Sequence, residues 1–399
     1  MRVLMLGPWS IARPRHGGQI RADGIVAAYR SRGHDVVFAG IVDPNNVPRA
    51  EMGPHDVAID WSIVEFISRS GLPFQISLWQ AFAQIPEHFA HFVRLVEQVR
   101  PDVVQLEETY MWPVVRALQC KRHLDGVRVV YSSYNFETDH QRDLANIKGP
   151  VDEYFLKQVA TTERDIVAAS DLVVTVSDTD AASFRAIGAA KVVVARNGSR
   201  RIAPHPDALR AVDAYFGEQP FALFVSSAHL PNMQGLLDLT RVAVESLPSR
   251  LVICGTVCDL LTEHRSASSL IRHARFMGIV DVALLDALLS RAAVVLLPKT
   301  RGGGSNLKTA EALHAYRPVV ATTQAFVGFE PWRDAPGVTV VDDPVAFWRQ
   351  VRWHLENPLV DNTAAWSAQR EGLLWENCLQ PMVVEVEKLS STRPQELHR

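Results

Sequence analysis

The chain has 399 residues and is 47% apolar, which supplies two cores of ordinary domain size more readily than one. Its 41 basic and 44 acidic side chains leave a formal charge of −3, so no global positive field exists to hold a polyanion, and no nucleic-acid partner is expected. Cys120, Cys254, Cys258 and Cys378 fit neither a zinc spacing nor a redox dithiol and read as reduced, buried thiols.

Arg2 to Gly7 runs straight into structure without a signal-peptide core or cleavage site. The uncharged stretch near Ser70 to Pro86, interrupted by Pro73, Gln75 and Gln80, is too short and polar to cross a bilayer. The expectation is a cytoplasmic protein, with peripheral contact at the inner face of the membrane left open. Short runs rich in Val, Ile and Leu then alternate with segments of helical period, the pattern of a parallel sheet covered on both faces, and this pattern occurs twice. Strands are predicted at Val3–Leu6, Val36–Ala39, Val103–Leu106, Val127–Tyr131, Leu172–Val176 and Val192–Ala195. Helices are predicted at Gln19–Ser31, stopped by Gly33, and at Tyr154–Ala169. Ile202 to Gln219, with Pro204 and Pro206, reads as a joint. Beyond it strands are predicted at Phe221–Val225, Leu251–Cys254, Val294–Leu297, Val319–Thr322 and Val338–Val341. Helices follow at Phe347–Leu355 and from about Trp366 to Lys388, and then a frayed tail. The domains expected are 1–203 and 204–375, with 376–399 a terminal helix and tail whose return to the first domain is left open. Two doubly wound sheets facing a shared cleft would put function in the strand-to-helix loops.

The most informative stretch runs from Leu297 to Leu313. A strand ends, Gly302, Gly303 and Gly304 follow, and a helix is expected to open at Ser305 as its cap, with Asn306 beside it. Glycines let backbone approach a ligand closely, and the free amides at a positive helix end suit phosphate. Lys308 and Glu311, three apart, share one face of that helix. The ammonium is placed on a diphosphate and the carboxylate on ribose hydroxyls. A glycine-rich turn with a capped surface helix and an ion pair would look the same in isolation. The spacing is not a Walker loop, and the first strand is followed by Gly7-Pro8-Trp9-Ser10 with no dinucleotide fingerprint.

Nearly end to end, the chain resembles family 4 glycosyltransferases with the GT-B fold. The matching segments, in order, are Arg15-His16-Gly17-Gly18, Arg32-Gly33-His34-Asp35-Val36, Pro101-Asp102-Val103-Val104, Tyr134-Asn135-Phe136-Glu137, Val176-Ser177, Asn197-Gly198, Pro231-Asn232, Phe276-Met277-Gly278 and the glycine-rich segment with Lys308 and Glu311. The resemblance implies two Rossmann-like domains, an acceptor-side one first and a nucleotide-sugar-binding one second. It also implies sugar transfer with retained anomeric configuration, no cofactor and no obligatory metal. Gly17 and Gly18 would form a loop admitting the donor phosphates, and Ser227 and the stretch Gly303-Gly304-Ser305-Asn306 would contact the donor. Glu311 resembles the second Glu of the family's paired-Glu motif, whereas Gly303 stands at the first.

An Arg and a Lys that many relatives place after the first strand of the second domain are replaced by Ser226-Ser227-Ala228-His229-Leu230-Pro231-Asn232. Lys308 would then stabilise the leaving diphosphate more nearly alone, with Lys299, Arg301 or Arg196 in support. Where relatives show a sugar-contacting His, this chain reads Gln105-Leu106-Glu107-Glu108, and Glu107 is the acidic candidate to orient the acceptor hydroxyl or take its proton. His16 reads as a hydrogen-bonding loop residue, His88 and His91 as helix surface or packing, and Trp61, Phe66, Phe74, Trp79 and Phe82 mainly as core. The function expected is transfer of a sugar from a nucleotide diphosphate donor to a glycan or glycolipid acceptor, as in polysaccharide biosynthesis. A nucleotide-sugar epimerase or a non-catalytic nucleotide-sugar binder on the same fold remains the alternative.

Overall fold

Runs such as Val3-Leu4-Met5-Leu6 and Val294-Val295-Leu296-Leu297 are apolar on both faces, and strands of that kind are stable only where helices cover both sides. The computed structural model describes residues 1–148, 153–228, 230–242, 247–248, 250–301, 305–359, 366 and 370–391. The chain divides into two compact units, one of residues 1–142, 150–195 and 379–399, the other of residues 143–149 and 196–378, each with one parallel sheet.

In the first unit the strands are β1 (Arg2–Gly7), β2 (Asp35–Val42), β3 (Val57–Ala58), β4 (Val103–Glu107), β5 (Arg128–Ser132), β6 (Leu172–Thr175) and β7 (Val192–Val194), in spatial order β3-β2-β1-β4-β5-β6-β7. In the second they are β8 (Ala222–Val225), β9 (Leu251–Cys254), β10 (Ala274–Gly278), β11 (Val294–Leu297), β12 (Val319–Ala321) and β13 (Val338–Val340), in order β10-β9-β8-β11-β12-β13. The strand order reverses between β1 and β4 and between β8 and β11, and the carboxyl ends of such switch points are where doubly wound sheets take ligands.

Alternate residues of the second sheet feed two separate cores. Ala222, Phe224, Leu251, Ile253, Val294 and Leu296 pack with Leu236, Phe347 and Trp348, while Leu223, Val252, Cys254, Val295 and Leu297 pack with Leu288, Leu313 and Phe326. In the first unit, Leu4, Leu6, Val104, Leu106 and Val129 pack against Phe82, Phe92 and Leu118. Each such side chain, fully removed from water, contributes roughly 1.5–3 kcal/mol toward ordering the chain.

The strands predicted from sequence are all present, with ends shifted by at most three residues. Two were not predicted. The strand β3 has only two residues, and β10, Ala-Arg-Phe-Met-Gly, is a half-exposed edge that lacks the apolar run of a central strand. The helix expected from Gln19 begins at Gly17; in the segment expected to be helical from Trp366, the described residues Trp366 and Arg370 are helical, a short turn follows at Glu371–Leu373, and the terminal helix runs Trp375–Ser391. Cys254, Cys258 and Cys378 are buried free thiols, but Cys120 is exposed at the end of the helix Trp112–Cys120. Phe82 is fully buried and Phe66 and Trp79 pack on the same core, whereas Trp61 (78% exposed) and Phe74 (59%) do not.

Several of the quoted segments are joints. Gly33 takes φ 76°, and the residues around it hold the terminal helix Trp375–Ser391: Arg32 donates twice to the Glu387 carboxylate, at 2.8 Å each, and His34 Nε2 lies 2.9 Å from it. The Arg32 hydrogen bonds pull the Glu387 pKa down to about 2. Ser177 caps the helix Asp178–Ala186 by accepting from the Asp180 amide at 3.0 Å. Gly235, on the helix Leu230–Val242, is there for contact, because a Cβ would overlap the carbonyl of Pro298 just past β11. Replacing Gly235 with Ala should therefore destabilise the protein by about 1–3 kcal/mol through overpacking. Gly33→Ala, in open space, should lose only about 1 kcal/mol from its left-handed backbone. Urea unfolding of the two variants checks the ranking, and an equal or reversed loss contradicts the packing.

Candidate active site

The chain leaves β1 at Gly7 and passes Trp9 and Ser10 to the helix Gly17–Ser31, whose N-cap is His16. Gln19, in the first turn, ties this loop down: its Oε1 accepts from the Arg15 and His16 amides at 2.7 and 3.3 Å, and its Nε2 donates to the Ser10 carbonyl at 2.8 Å. Gly17 and Gly18 are thus the opening residues of a helix, not a free loop. A Cβ on Gly18 would overlap the indole of Trp9, so the small residue at that position is required by the protein's own side chain. The Trp9 ring meets His16 edge-on at 4.8 Å and stands 6.2 Å from Tyr134.

On the other side of the switch point, β4 ends in Glu107, which is fully buried. A relay of hydrogen bonds fixes it. Tyr29 donates to Gln105 Oε1 at 2.5 Å, Gln105 Nε2 donates to Glu107 Oε1 at 2.6 Å, and Tyr134 donates to Glu107 Oε2 at 2.8 Å. Burial raises the Glu107 pKa against the pull of those bonds and of the Arg21 charge. Both carboxylate oxygens are engaged, so Glu107 here joins three elements instead of presenting a free base.

The next residue is unlike it. Glu108 has φ 65° and ψ 167°, a region nearly reserved for glycine that costs another residue about 1–3 kcal/mol. It is 5% exposed, and burial together with Glu137 and Glu107 pushes its pKa well above the usual carboxylate range. Glu137 accepts from Tyr110 at 2.9 Å and from Gln141 at 2.6 Å. Glu163, fully buried, accepts the amides of Glu137 (2.5 Å) and Thr138 (2.9 Å) and the Thr138 hydroxyl, and so caps the helix Glu137–Lys148. The Glu107-Glu108 pair after an apolar strand and the Tyr134-Asn135-Phe136-Glu137 segment hinted at this acidic group; Glu163, mid-helix, gave no signal.

In the second unit β8 ends before Ser226 and Ser227. The buried Ser226 hydroxyl donates to the Ser227 carbonyl at 2.9 Å and accepts from Asn232 at 3.1 Å, while the Ala228 amide donates to Thr256 Oγ1 at 2.7 Å. Neutral groups therefore brace this loop, leaving Ser227 exposed. Past β11, Gly303 and Gly304 lie outside the described residues.

The helix after them spans Leu307–His314, one residue later at its start than expected, and its cap is Asn306, not Ser305. An amide side chain reaches the second helical amide readily, and Asn306 Oδ1 accepts from Lys308 N at 3.2 Å. The Ser305 carbonyl is taken by Asn197 Nδ2 at 3.0 Å, which gives the Asn197-Gly198 turn a task its sequence did not reveal. Lys308 Nζ and Glu311 Oε2 form an ion pair at 2.7 Å, with side chains 26% and 20% exposed. Arg200, held by Asp286 in a two-pronged ion pair, also lies within the field of Glu311. Of the supporting cations expected, Arg301 reaches Asp238 at 3.5 Å and Lys299 is buried. His88 is buried against Asp60, 3.2 Å from its carboxylate.

Two all-parallel, doubly wound sheets in successive units, each with polar residues at its switch point, define the GT-B class of α/β proteins. The family profile described as glycosyl transferase 4-like domain matches residues 16–198, and that described as glycosyl transferases group 1 matches residues 219–357. The chain belongs to the glycosyltransferases that join these two domains. Its fold is similar to that of sucrose-phosphate synthase from Thermosynechococcus elongatus, with TM-score 0.70 and 16% identity over 98% of this chain and 100% of that one. It is also similar to Anabaena HepE in complex with UDP-glucose (TM-score 0.61, 14% identity, 98% of each chain). A third likeness is to the catalytic domain of starch synthase IV from Arabidopsis thaliana bound to ADP and acarbose (0.64, 12%, 98% of each). No curated protein matches the sequence. Among the described residues, no helix is long and apolar enough to cross a membrane.

The Glu163 pKa, pushed up to about 7 chiefly by burial, makes a stability prediction. Between its unfolded value of about 4.5 and 7 the native state keeps a proton that the unfolded chain has released, so stability falls as pH rises through that window. A shift of this size is worth about 3 kcal/mol across the window. Urea unfolding from pH 4.5 to 8 should show the decline in the wild type and a flatter profile in Glu163→Gln; parallel profiles would contradict the buried acid.

Proposed function

We propose that this glycosyltransferase takes its sugar from a nucleotide diphosphate donor held by the second unit and transfers it to a hydroxyl of a glycan or glycolipid, with retained anomeric configuration. The observation that carries the reading is the start of the helix Leu307–His314 just beyond β11, at the switch point, with the Lys308–Glu311 pair on its first turns. The Leu307 amide has no carbonyl behind it in the helix, and the positive helix end adds to it. Gly303, Gly304, Ser305 and Asn306 would bring backbone to the phosphates, and Ser227 would add a hydroxyl. On donor binding Lys308 exchanges Glu311 for the diphosphate, and Glu311 turns to the ribose hydroxyls. The exchange replaces one charge pair by another, which limits its desolvation cost.

Cleavage of the anomeric carbon–phosphate oxygen bond leaves negative charge on the diphosphate, where the ammonium and the helix amides stabilise it. The acceptor oxygen forms its bond to the anomeric carbon on the face the diphosphate leaves, and its proton passes to the departing phosphate oxygen. Glu107, through its relay with Gln105 and Tyr134, positions the acceptor side. No cofactor or metal enters this scheme. That HepE was crystallised with UDP-glucose makes a uridine donor the first to try. A glycolipid acceptor would bring the protein to the inner face of the membrane.

With a panel of nucleotide sugars, Lys308→Ala and Glu311→Ala should each lower donor use about tenfold or more, as loss of a charged hydrogen bond implies. Unchanged kinetics in both variants would remove the donor site from this helix. Turnover of the nucleotide sugar to an isomer without acceptor would favour an epimerase instead.

A further inference from the structure

Glu108 is a residue of the first unit whose presence stability does not explain. It follows β4 directly, at the switch point where this class of sheet takes its ligands. Its backbone is in the strained region described above, and a glycine would sit there more easily. Its side chain is buried among Glu107, Glu137 and Glu163, the carboxyls whose charges act on it. Those three are satisfied, by Gln105 and Tyr134, by Tyr110 and Gln141, and by the amides of residues 137 and 138. Glu108 is not: its amide donates to the Ser132 carbonyl at 3.0 Å, but among the described residues its carboxyl has no hydrogen-bond partner. A polar group left so is stabilised by a ligand that completes its bonding.

The surroundings say which ligand. Tyr110, two residues on, stacks with Trp79 at 5.4 Å and 27°. Four buried carboxyls stand together, and the cation acting on Glu107 and Glu108 is Arg21, itself bonded to the Ala195 carbonyl at 2.9 Å. A phosphate brought here would lose its hydration in a region of low dielectric whose nearby cation, Arg21, is already bonded; a hydroxyl would find both a donor and acceptors.

We propose that Glu108 is an acceptor-binding residue, and that the first unit takes a neutral, polyhydroxylated acceptor without phosphate, whose hydroxyl satisfies this carboxyl. The inference rests on the glycosyl-transfer reading and names the acceptor class for it.

The full-length protein is tested against an array of neutral glycans and their phosphorylated counterparts by saturation-transfer NMR, as wild type, Glu108→Gln and Glu108→Gly. Neutral glycans should bind about tenfold or more tightly than the phosphorylated ones, as loss or mismatch of a buried hydrogen bond implies. Binding should weaken by a similar factor in Glu108→Gly and much less in Glu108→Gln, which keeps the shape and a hydrogen-bonding end. Glu108→Gly should also melt about 2–4 °C higher, because the strain is gone, and this confirms that it folds. Phosphorylated glycans bound as well as neutral ones, no neutral glycan bound, or unchanged binding in Glu108→Gly would overturn the proposal. Calorimetry with UDP-glucose on the same samples keeps the two readings apart: its failure speaks against the donor site, whereas the glycan array reports on the first unit alone.

Discussion

A parallel strand that ends where the sheet order reverses must turn the chain over into a helix, and the helix that follows begins with amides that no carbonyl of its own can satisfy. Those amides, with the dipole behind them, are the one positive feature that requires no basic side chain. In the second unit this constraint is met at β11 and the helix Leu307–His314. Asn306 satisfies part of the need, the Asn197 side chain fixes the Ser305 carbonyl, and the Lys308–Glu311 pair supplies charge of either sign a turn further on. The loop after β8, where cations were missing, is instead tied up by Ser226, Asn232 and Thr256. Charge at this switch point is therefore concentrated at the helix start.

The first unit uses the same topology to opposite effect. Its switch point gathers buried carboxyls, each held by neutral donors apart from Glu108, and a helix start closed by Trp9 and Gln19. A region so built favours uncharged, hydroxyl-bearing molecules, as a helix end favours anions. The two switch points therefore differ in electrostatics: one presents a helix start with an ion pair, the other buried carboxyls.

Much of this was legible in the sequence, because parallel strands buried on both faces cannot hide their apolar runs. The strands that escaped were edges: β3 is too short to carry a pattern, and β10 carries Arg275 and is half exposed. At the site, Lys308 and Glu311 could be placed on one face from their spacing alone. The cap could not be assigned to Asn306 over Ser305, since either residue type serves and only the backbone decides. Gly18 was read as a place for phosphate because sequence does not show what fills the space beside a glycine, and here it is Trp9. Glu163 was invisible for a related reason: a carboxylate capping a helix from a different segment of the chain leaves no local mark.

The most direct measurement is amide hydrogen exchange of the full-length protein with and without a nucleoside diphosphate such as UDP. The account predicts that the ligand slows exchange in residues 305–311 and in the turn at Asn197 that braces them. Protection confined to other segments, with the amides at the start of the helix Leu307–His314 exchanging as fast as in the free protein, would contradict it.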